Sequence, residues 1–172
     1  APNARASFAA AGDRVLAYRT GASSVQSNLT MIDRAGKTLG QIGPPGDYRG
    51  IDVSPDGSRV AVHLHAEAGG DIWVLDAVRG TNSRFTFDVN RHYAKPNWSA
   101  DGSRIIYSAT GAKPGILEKP SSGAGHEQTL LEVGGGNQGP THVSRDGRFA
   151  LYTLYDPKSQ RDVWALPLFG DR

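Results

Sequence analysis

Four apolar runs recur along the chain, and polar turn residues separate each run from the next. The runs are VLAY at 15–18, VAVHL at 60–64, IIYSA at 105–109 and ALYTL at 150–154. A strand that is buried on one face only alternates apolar with polar residues, whereas a short continuous apolar run is typical of a strand buried on both faces. The pattern therefore predicts an all-β protein in which most sheets lie between two neighbouring sheets.

A fixed interval of 45 residues relates the turns before these runs. The glycines of these turns are Gly12, Gly57, Gly102 and Gly147, and the last three stand in nearly repeated segments, SPDG at 54–57, SADG at 99–102 and SRDG at 144–147. Short strands repeated at this period are typical of β-propeller blades. We therefore predict a single partial β-propeller domain over 1–172, with blades at about 4–48, 49–93, 94–138 and 139–172.

The second repeat shows how one blade is built. It predicts four antiparallel strands, at Arg49–Ser54, Arg59–Leu64, Asp71–Asp76 and Ser83–Phe87. In the first repeat the corresponding first and fourth strands are Ala4–Phe8 and Thr38–Ile42, and the fourth repeat lacks its outer strand. A closed propeller needs at least four blades and usually more. Three outcomes are open. The chain is a fragment of a longer propeller and forms an open arc, or it forms a four-bladed ring, or two chains join through their open blade edges.

Composition excludes several classes of protein. The 19 basic and 17 acidic residues are scattered and leave a net charge of +2, so we expect no nucleic-acid partner. The absence of cysteine excludes disulfides, thiolate zinc sites and a cysteine nucleophile. No apolar run approaches the roughly 18 residues of a membrane span, so we expect no membrane insertion by this segment.

The repeated Asp-Gly turns raise the question of acid–base chemistry. Because three catalytic carboxylates would rarely recur identically, their recurrence favours a structural role in the turn backbone. The residues assigned to structural turns are Asp56, Gly57, Asp101, Gly102, Asp146 and Gly147.

Two further groups of residues could form a binding site, but their pattern favours a structural role. His63 and His65 share one strand face, with Glu67 close behind, but no third histidine is near in sequence. Trp73 and Trp164 occupy matched places in their repeats and suit the interfaces between blades. We expect no catalytic residue, no metal and no cofactor.

The starts of the first strands of the blades form the best candidate for a binding site. In a propeller these strands line the central channel, so their starts meet at one mouth. The basic and aromatic rim predicted there consists of Arg5, Tyr48, Arg49, Tyr93 and Lys95, and the fourth repeat offers Gln138, Gly139 and Pro140 instead.

The unit SPDGSRVAV…DIWVLD…RGTNSRFTF resembles the TolB-type β-propeller repeat, a relative of WD-repeat propellers, over nearly the whole chain. The segments 71–88, 119–125 and 163–172 are also similar to the propeller that follows the kinase domain in some bacterial serine/threonine kinases. That resemblance implies further blades in the parent protein, a sensory or protein-interaction role, and a periplasmic or other extracytoplasmic location. The Gly-rich loop, HRD and DFG elements of a kinase are absent.

The sequence thus favours a non-catalytic scaffold that binds a protein, peptide or other ligand. One alternative is the sensor domain of a bacterial membrane kinase. The other is part of a propeller enzyme whose active site lies in the channel.

Overall fold

The computed structural model describes residues 8–11, 15–20, 26–66, 69–134 and 138–170, with backbone alone for most of the first two strands. Every regular element in these ranges is a β-strand, which confirms the all-β prediction. The strands are β1 Phe8–Ala11, β2 Val15–Thr20, β3 Ser27–Ile32, β4 Thr38–Val53, β5 Arg59–Ala66, β6 Gly69–Asp76, β7 Asn82–Arg84, β8 Arg91–Trp98, β9 Arg104–Gly111, β10 Gly115–Pro120, β11 Gln128–Glu132, β12 Gly139–Val143, β13 Phe149–Asp156 and β14 Gln160–Pro167. The described residues contain no helix that could cross a bilayer.

Neighbouring strands pair antiparallel in chain order. The sheets are β1 to β7, β8 to β11 and β12 to β14, so the last described sheet has three strands. Blade 1 ends at Gly46 and blade 2 begins at Asp47, because β4 pairs with β3 before this point and with β5 after it. Blade 3 is β8 to β11, and blade 4 is β12 to β14.

The structure corrects two predicted strands. Thr38–Ile42 and Arg49–Ser54 belong to one continuous element, because Pro44 and Pro45 keep the connecting backbone extended and the Tyr48 hydroxyl donates to the Pro44 carbonyl. The fourth strand of blade 2 ends at Arg84 and not at Phe87. Beyond it the Thr86 hydroxyl, in place of a backbone carbonyl, accepts the Ile72 amide at 3.0 Å.

Apolar side chains between successive blades form three cores. In each core, side chains from the second strand of one blade pack against side chains on the facing surface of the preceding blade. We call the surface of a blade that faces the next blade in the chain its outward face. The three sets are Val60 and Val62 with Leu29 and Ile42, Ile105 and Tyr107 with Ala61 and Ile72, and Ala150 and Tyr152 with Ile106 and Ile116. Each buried Val or Ile contributes about 1.5–3 kcal/mol, so the blades stabilise one another through these interfaces.

The first strands of successive blades contact one another: β1 with β4, β4 with β8, and β8 with β12. We call these the inner strands, meaning in β4 the part from Asp47. We call the side of the fold where these strands start one mouth and the side where they end the opposite mouth, and the Asp-Gly turns lie at the ends.

Candidate functional site

The three repeated aspartates each close the turn in which they stand. The Ser54 hydroxyl donates to Asp56 at 2.6 Å, and the Ser58 amide donates to the same carboxylate at 3.0 Å. Gly57 has a φ of 74°, a left-handed value that glycine accepts without strain. Asp101 and Asp146 accept the equivalent bonds from Ser99 and Ser144 at 2.6 Å. These carboxylates are therefore engaged by their own turns.

Hydrogen bonds from Ser99 and Ser103 lower the pKa of Asp101 to about 2. We expect Asp101→Ala to lower the free energy of unfolding by about 1 kcal/mol at pH 6, a modest loss because the turn is solvent-exposed. The folded-state pKa lies below the unfolded value, so the stabilisation is complete above about pH 4 and is lost as the pH falls through about 2. Urea unfolding from pH 6 to pH 2.5 should show the difference between wild type and variant narrowing. A difference that stays constant over this range would contradict the assignment.

The structure places the two tyrosines of the predicted rim inside the protein. The Tyr48 and Tyr93 side chains are each 1% exposed and belong to the cores between blades. The Tyr93 hydroxyl lies 3.4 Å from a Glu127 carboxylate oxygen, and burial together with that carboxylate raises the pKa of Tyr93 to about 12. Their ring faces pack against protein and are not offered to a ligand. Arg5 lies outside the described residues.

In blades 2, 3 and 4 a bulge interrupts the pairing between the inner strand and the second strand, whereas the β1–β2 pairing of blade 1 is regular. The shifts fall between Tyr48 and Gly50, between Ala94 and Asn97, and between Pro140 and His142. Arg49 and Lys95, the two remaining residues of the predicted rim, both lie in these shifts. Bulges re-aim side chains and are common beside functional sites.

Lys95 adopts a φ of 55°, which is unusual for a residue with a side chain. Its aliphatic stem lies over Gly139 of blade 4, where a Cβ would come within 3.1 Å of Lys95 Cδ. On the other side, the Lys95 Cα lies 3.7 Å from the position that a Cβ on Gly50 would take. Burial first, and then the positive charge of Arg161, lower the pKa of Lys95. Lys95 thus crosses from blade 3 to blade 4 towards a second cation.

Arg49 and Arg161 complete a row of cations with Lys95. The Arg49 guanidinium donates to Asp47 at 2.9 Å, and half of its side chain, 50%, remains exposed. Arg161 is exposed in β14 and forms no ion pair with any described residue. We call Arg49, Lys95 and Arg161 the basic mouth. Nothing in the sequence marked out Arg161, because its place beside Lys95 arises from the packing of blade 4 against blade 3.

His63 and His65 lie beside the basic mouth. Their rings meet edge to face with centroids 5.8 Å apart, and Gly70 leaves the space into which the His63 ring packs. Burial, followed by the charges of His65 and Arg49, lowers the pKa of His63 to about 4. Within the described residues no three His, Cys, Asp or Glu side chains are grouped to hold a metal ion, and Glu67 lies outside them.

Comparison with known proteins gives matches among solved structures. No protein-family model matches the chain, and no curated protein matches it. The TolB structure from Acinetobacter baumannii superposes with a TM-score of 0.74 at 19% identity, over 94% of this chain and 40% of that protein. A TolB-like protein from Agrobacterium tumefaciens gives 0.72 at 22% identity, over 94% of this chain and 57% of that protein.

A structure from an analysis of two prolyl endopeptidases gives a TM-score of 0.68 at 18% identity, over 92% of this chain and 27% of that chain. This chain therefore spans between about a quarter and about three fifths of the proteins that it matches. Identities at this level establish the fold alone. The chain has the β-propeller fold of TolB, as its SPDG repeats predicted.

Proposed function

We propose that this chain is a non-catalytic binding module and that its basic mouth recognises an acidic segment of a protein partner. The observation that carries the proposal is the strained backbone of Lys95. A side chain at positive φ persists only where the surrounding structure holds it, and such positions cluster at binding sites. Here the strain directs a cation across the junction of two blades.

The charges of the basic mouth favour an anionic partner. Lys95 is partly buried beside Arg161, and the two cations repel each other. A carboxylate bound between them would relieve that repulsion, and it would be shielded from solvent on the Lys95 side. Arg49 adds a third cation on the neighbouring blade, and among the described residues its ion pair is with Asp47. A row of cations over three blades suits several carboxylates in an extended segment.

The test is the binding of a fluorescein-labelled peptide of ten glutamates, followed by anisotropy. Lys95→Met keeps the aliphatic stem over Gly139 and removes the charge. We expect it to weaken binding about threefold to tenfold, and more when combined with Arg161→Gln. The control is Lys37→Met in the β3–β4 turn, which removes the same charge at an exposed position. If Lys37→Met weakens binding as much as Lys95→Met, attraction is non-specific and the proposal fails.

The second part of the proposal concerns the outward face of blade 4. Ile106 and Ile116 lie on the outward face of blade 3 and are covered by blade 4. Leu151 and Val163 occupy the same two positions on blade 4. Because Val163 is 69% exposed, this face has the composition of a blade interface without a blade against it in the described residues. We propose that a second copy of the chain packs there through a blade of its own.

A third proposal is that the module senses a ligand for a bacterial membrane serine/threonine kinase. It rests on the similarity of segments 71–88, 119–125 and 163–172 to kinase-associated propellers. The parent reading frame tests it, since it requires a kinase domain and a membrane span upstream of this segment.

A further inference from the structure

A groove opens at the opposite mouth, where the inner strands run into the Asp-Gly turns. Its volume is about 740 Å³, and all four blades contribute to its lining. Arg34 comes from the β3–β4 turn of blade 1, Asp52 and Pro55 from blade 2, Trp98 from blade 3, and His142 and Arg145 from blade 4. We call it the Arg34–Arg145 groove.

The repeat provides the frame of this groove but not its chemistry. Two residues before each turn glycine stand Pro55, Ala100 and Arg145, and all three line the groove. Five residues before the glycine stand Asp52, Asn97 and His142. The same serine-to-aspartate bond closes the turns of blades 2, 3 and 4, so backbone geometry does not require an arginine or a histidine at these places.

The charged groups of the groove are mainly cationic. Arg34 and Arg145 are exposed, and neither forms an ion pair with a described residue. The exposed imidazole of His142 lies with them. Among the described residues of the lining the carboxylate is Asp52, whose Oδ2 accepts the Trp98 amide at 2.7 Å. Two arginines without carboxylate partners at one groove suit a ligand carboxylate, which can accept a bidentate pair of bonds from a guanidinium.

An apolar wall stands beside these cations. Trp98 supports this wall from behind: it is buried, its indole N–H donates to the Asp52 carbonyl at 3.2 Å, and the Arg59 guanidinium covers its ring at 4.7 Å. The accessible surface of the wall consists of the exposed Pro55 and the half-buried Ala100. A fixed apolar wall next to an anion site is the arrangement that orients an amphipathic ligand.

We propose that the Arg34–Arg145 groove binds the terminal carboxylate of a peptide-like ligand, with the carboxylate between the two arginines and an apolar terminal side chain against Pro55 and Ala100. This site is separate from the basic mouth, which lies at the starts of the same strands. It is therefore independent of the proposed function.

Asp52 makes the proposed binding depend on pH. Burial raises the pKa of Asp52 to about 6, against opposing contributions from the Trp98 and Val53 amides and from His142. A bound carboxylate would be repelled by ionised Asp52 and not by its neutral form. The charged and titratable groups that share the groove with Asp52 are Arg34, Arg145 and His142. Binding should therefore tighten as the pH falls from 7.5 towards 5.5.

The experiment compares two labelled peptides, acetyl-Ala-Ala-Leu with a free carboxylate and the same peptide with a terminal amide. The variant is Arg145→Ala, which gives blade 4 the residue that blade 3 already carries as Ala100. The matched control is Arg79→Ala, an exposed arginine outside the groove. We expect Arg145→Ala to weaken binding of the free acid about tenfold. The amide should bind wild type no better than the free acid binds the variant.

Unfolding midpoints that match between Arg145→Ala and wild type would confirm that the fold is retained. Competition by N-acetylleucine as effective as that by the peptide would identify a small acid as the ligand, whereas weaker competition would identify a peptide terminus. Either result supports the groove. Equal binding of acid and amide, no binding of either at millimolar concentration, or an equal loss with Arg79→Ala would overturn it. Lys95→Met should leave this binding unchanged, which separates it from the basic mouth.

Discussion

Ile116→Ala is expected to lower the free energy of unfolding by about 2–5 kcal/mol, whereas Val163→Ala should change it by no more than about 0.5 kcal/mol. The two residues occupy the same register position in successive blades, opposite Ser108 and Thr153 in the second strands. Ile116 is 0% exposed because blade 4 covers it, and Val163 is 69% exposed. The same type of truncation thus leaves a cavity in one blade and only exposed surface in the next.

Urea unfolding at low protein concentration measures both variants. Ile72→Ala provides a second buried example, since Ile72 occupies this register position in blade 2 and is also 0% exposed. A loss for Val163→Ala as large as that for Ile116→Ala would show that the outward face of blade 4 is covered within the monomer.

The same face tests the proposal of a second copy. Sedimentation velocity over rising concentration should show wild type associating and Val163→Lys associating less, because a lysine at this position would bury a charge in the interface. A wild type that stays monomeric at the highest concentration would overturn that proposal. It would leave the stability prediction intact.

Gly139→Ala is expected to cost about 2–4 kcal/mol and to disturb the basic mouth as well. Gly139 has a φ of 150°, and an added Cβ would lie 2.6 Å from the Ser108 Cβ. Ser108 cannot swing aside, because its Cβ is fixed by the backbone of β9 and its buried hydroxyl donates to the Ala94 carbonyl at 3.0 Å. Overpacking therefore adds to backbone strain at this position. The new methyl group would also press on the stem of Lys95.

Gly36→Ala serves as the matched control. Gly36 has a φ of 81° with no atom within 4 Å of an added Cβ, so it carries strain without a clash and should cost about 1 kcal/mol. Denaturant unfolding compares the stabilities, and binding of the glutamate peptide to Gly139→Ala at a temperature where it is folded reports on Lys95. Equal losses for the two variants would mean that the contact with Ser108 relaxes easily.

The Asp-Gly turns show what could be read directly from the sequence. Serine, aspartate and glycine satisfy the turn backbone through bonds that span at most five residues. Because this chemistry is local, its 45-residue recurrence located the first two strands of blades 2, 3 and 4. The propeller fold followed from that spacing, and the TolB structures confirm it.

The site residues were harder to place. Tyr48 and Arg49 are adjacent in sequence and were predicted to share one rim, yet successive side chains of a strand point to opposite faces, and with the register shift between Tyr48 and Gly50 the tyrosine lies in the core and the arginine is half-exposed. A bulge depends on how a strand pairs with its neighbour, which a single repeat does not reveal. Arg161 approaches Lys95 only because blade 4 packs beside blade 3.

By itself the sequence determined the blades, their turns and the apolar positions that face neighbouring blades, because these follow from local turn chemistry and from a period in the chain. Only the tertiary structure decided which side chains meet. Arg34, Asp52, Trp98 and Arg145 come from four different blades, and they line one groove because the inner strands converge around a common axis. Packing between blades likewise decided that Ile116 is buried and that its counterpart Val163 is exposed, although the repeat gives the two residues the same place.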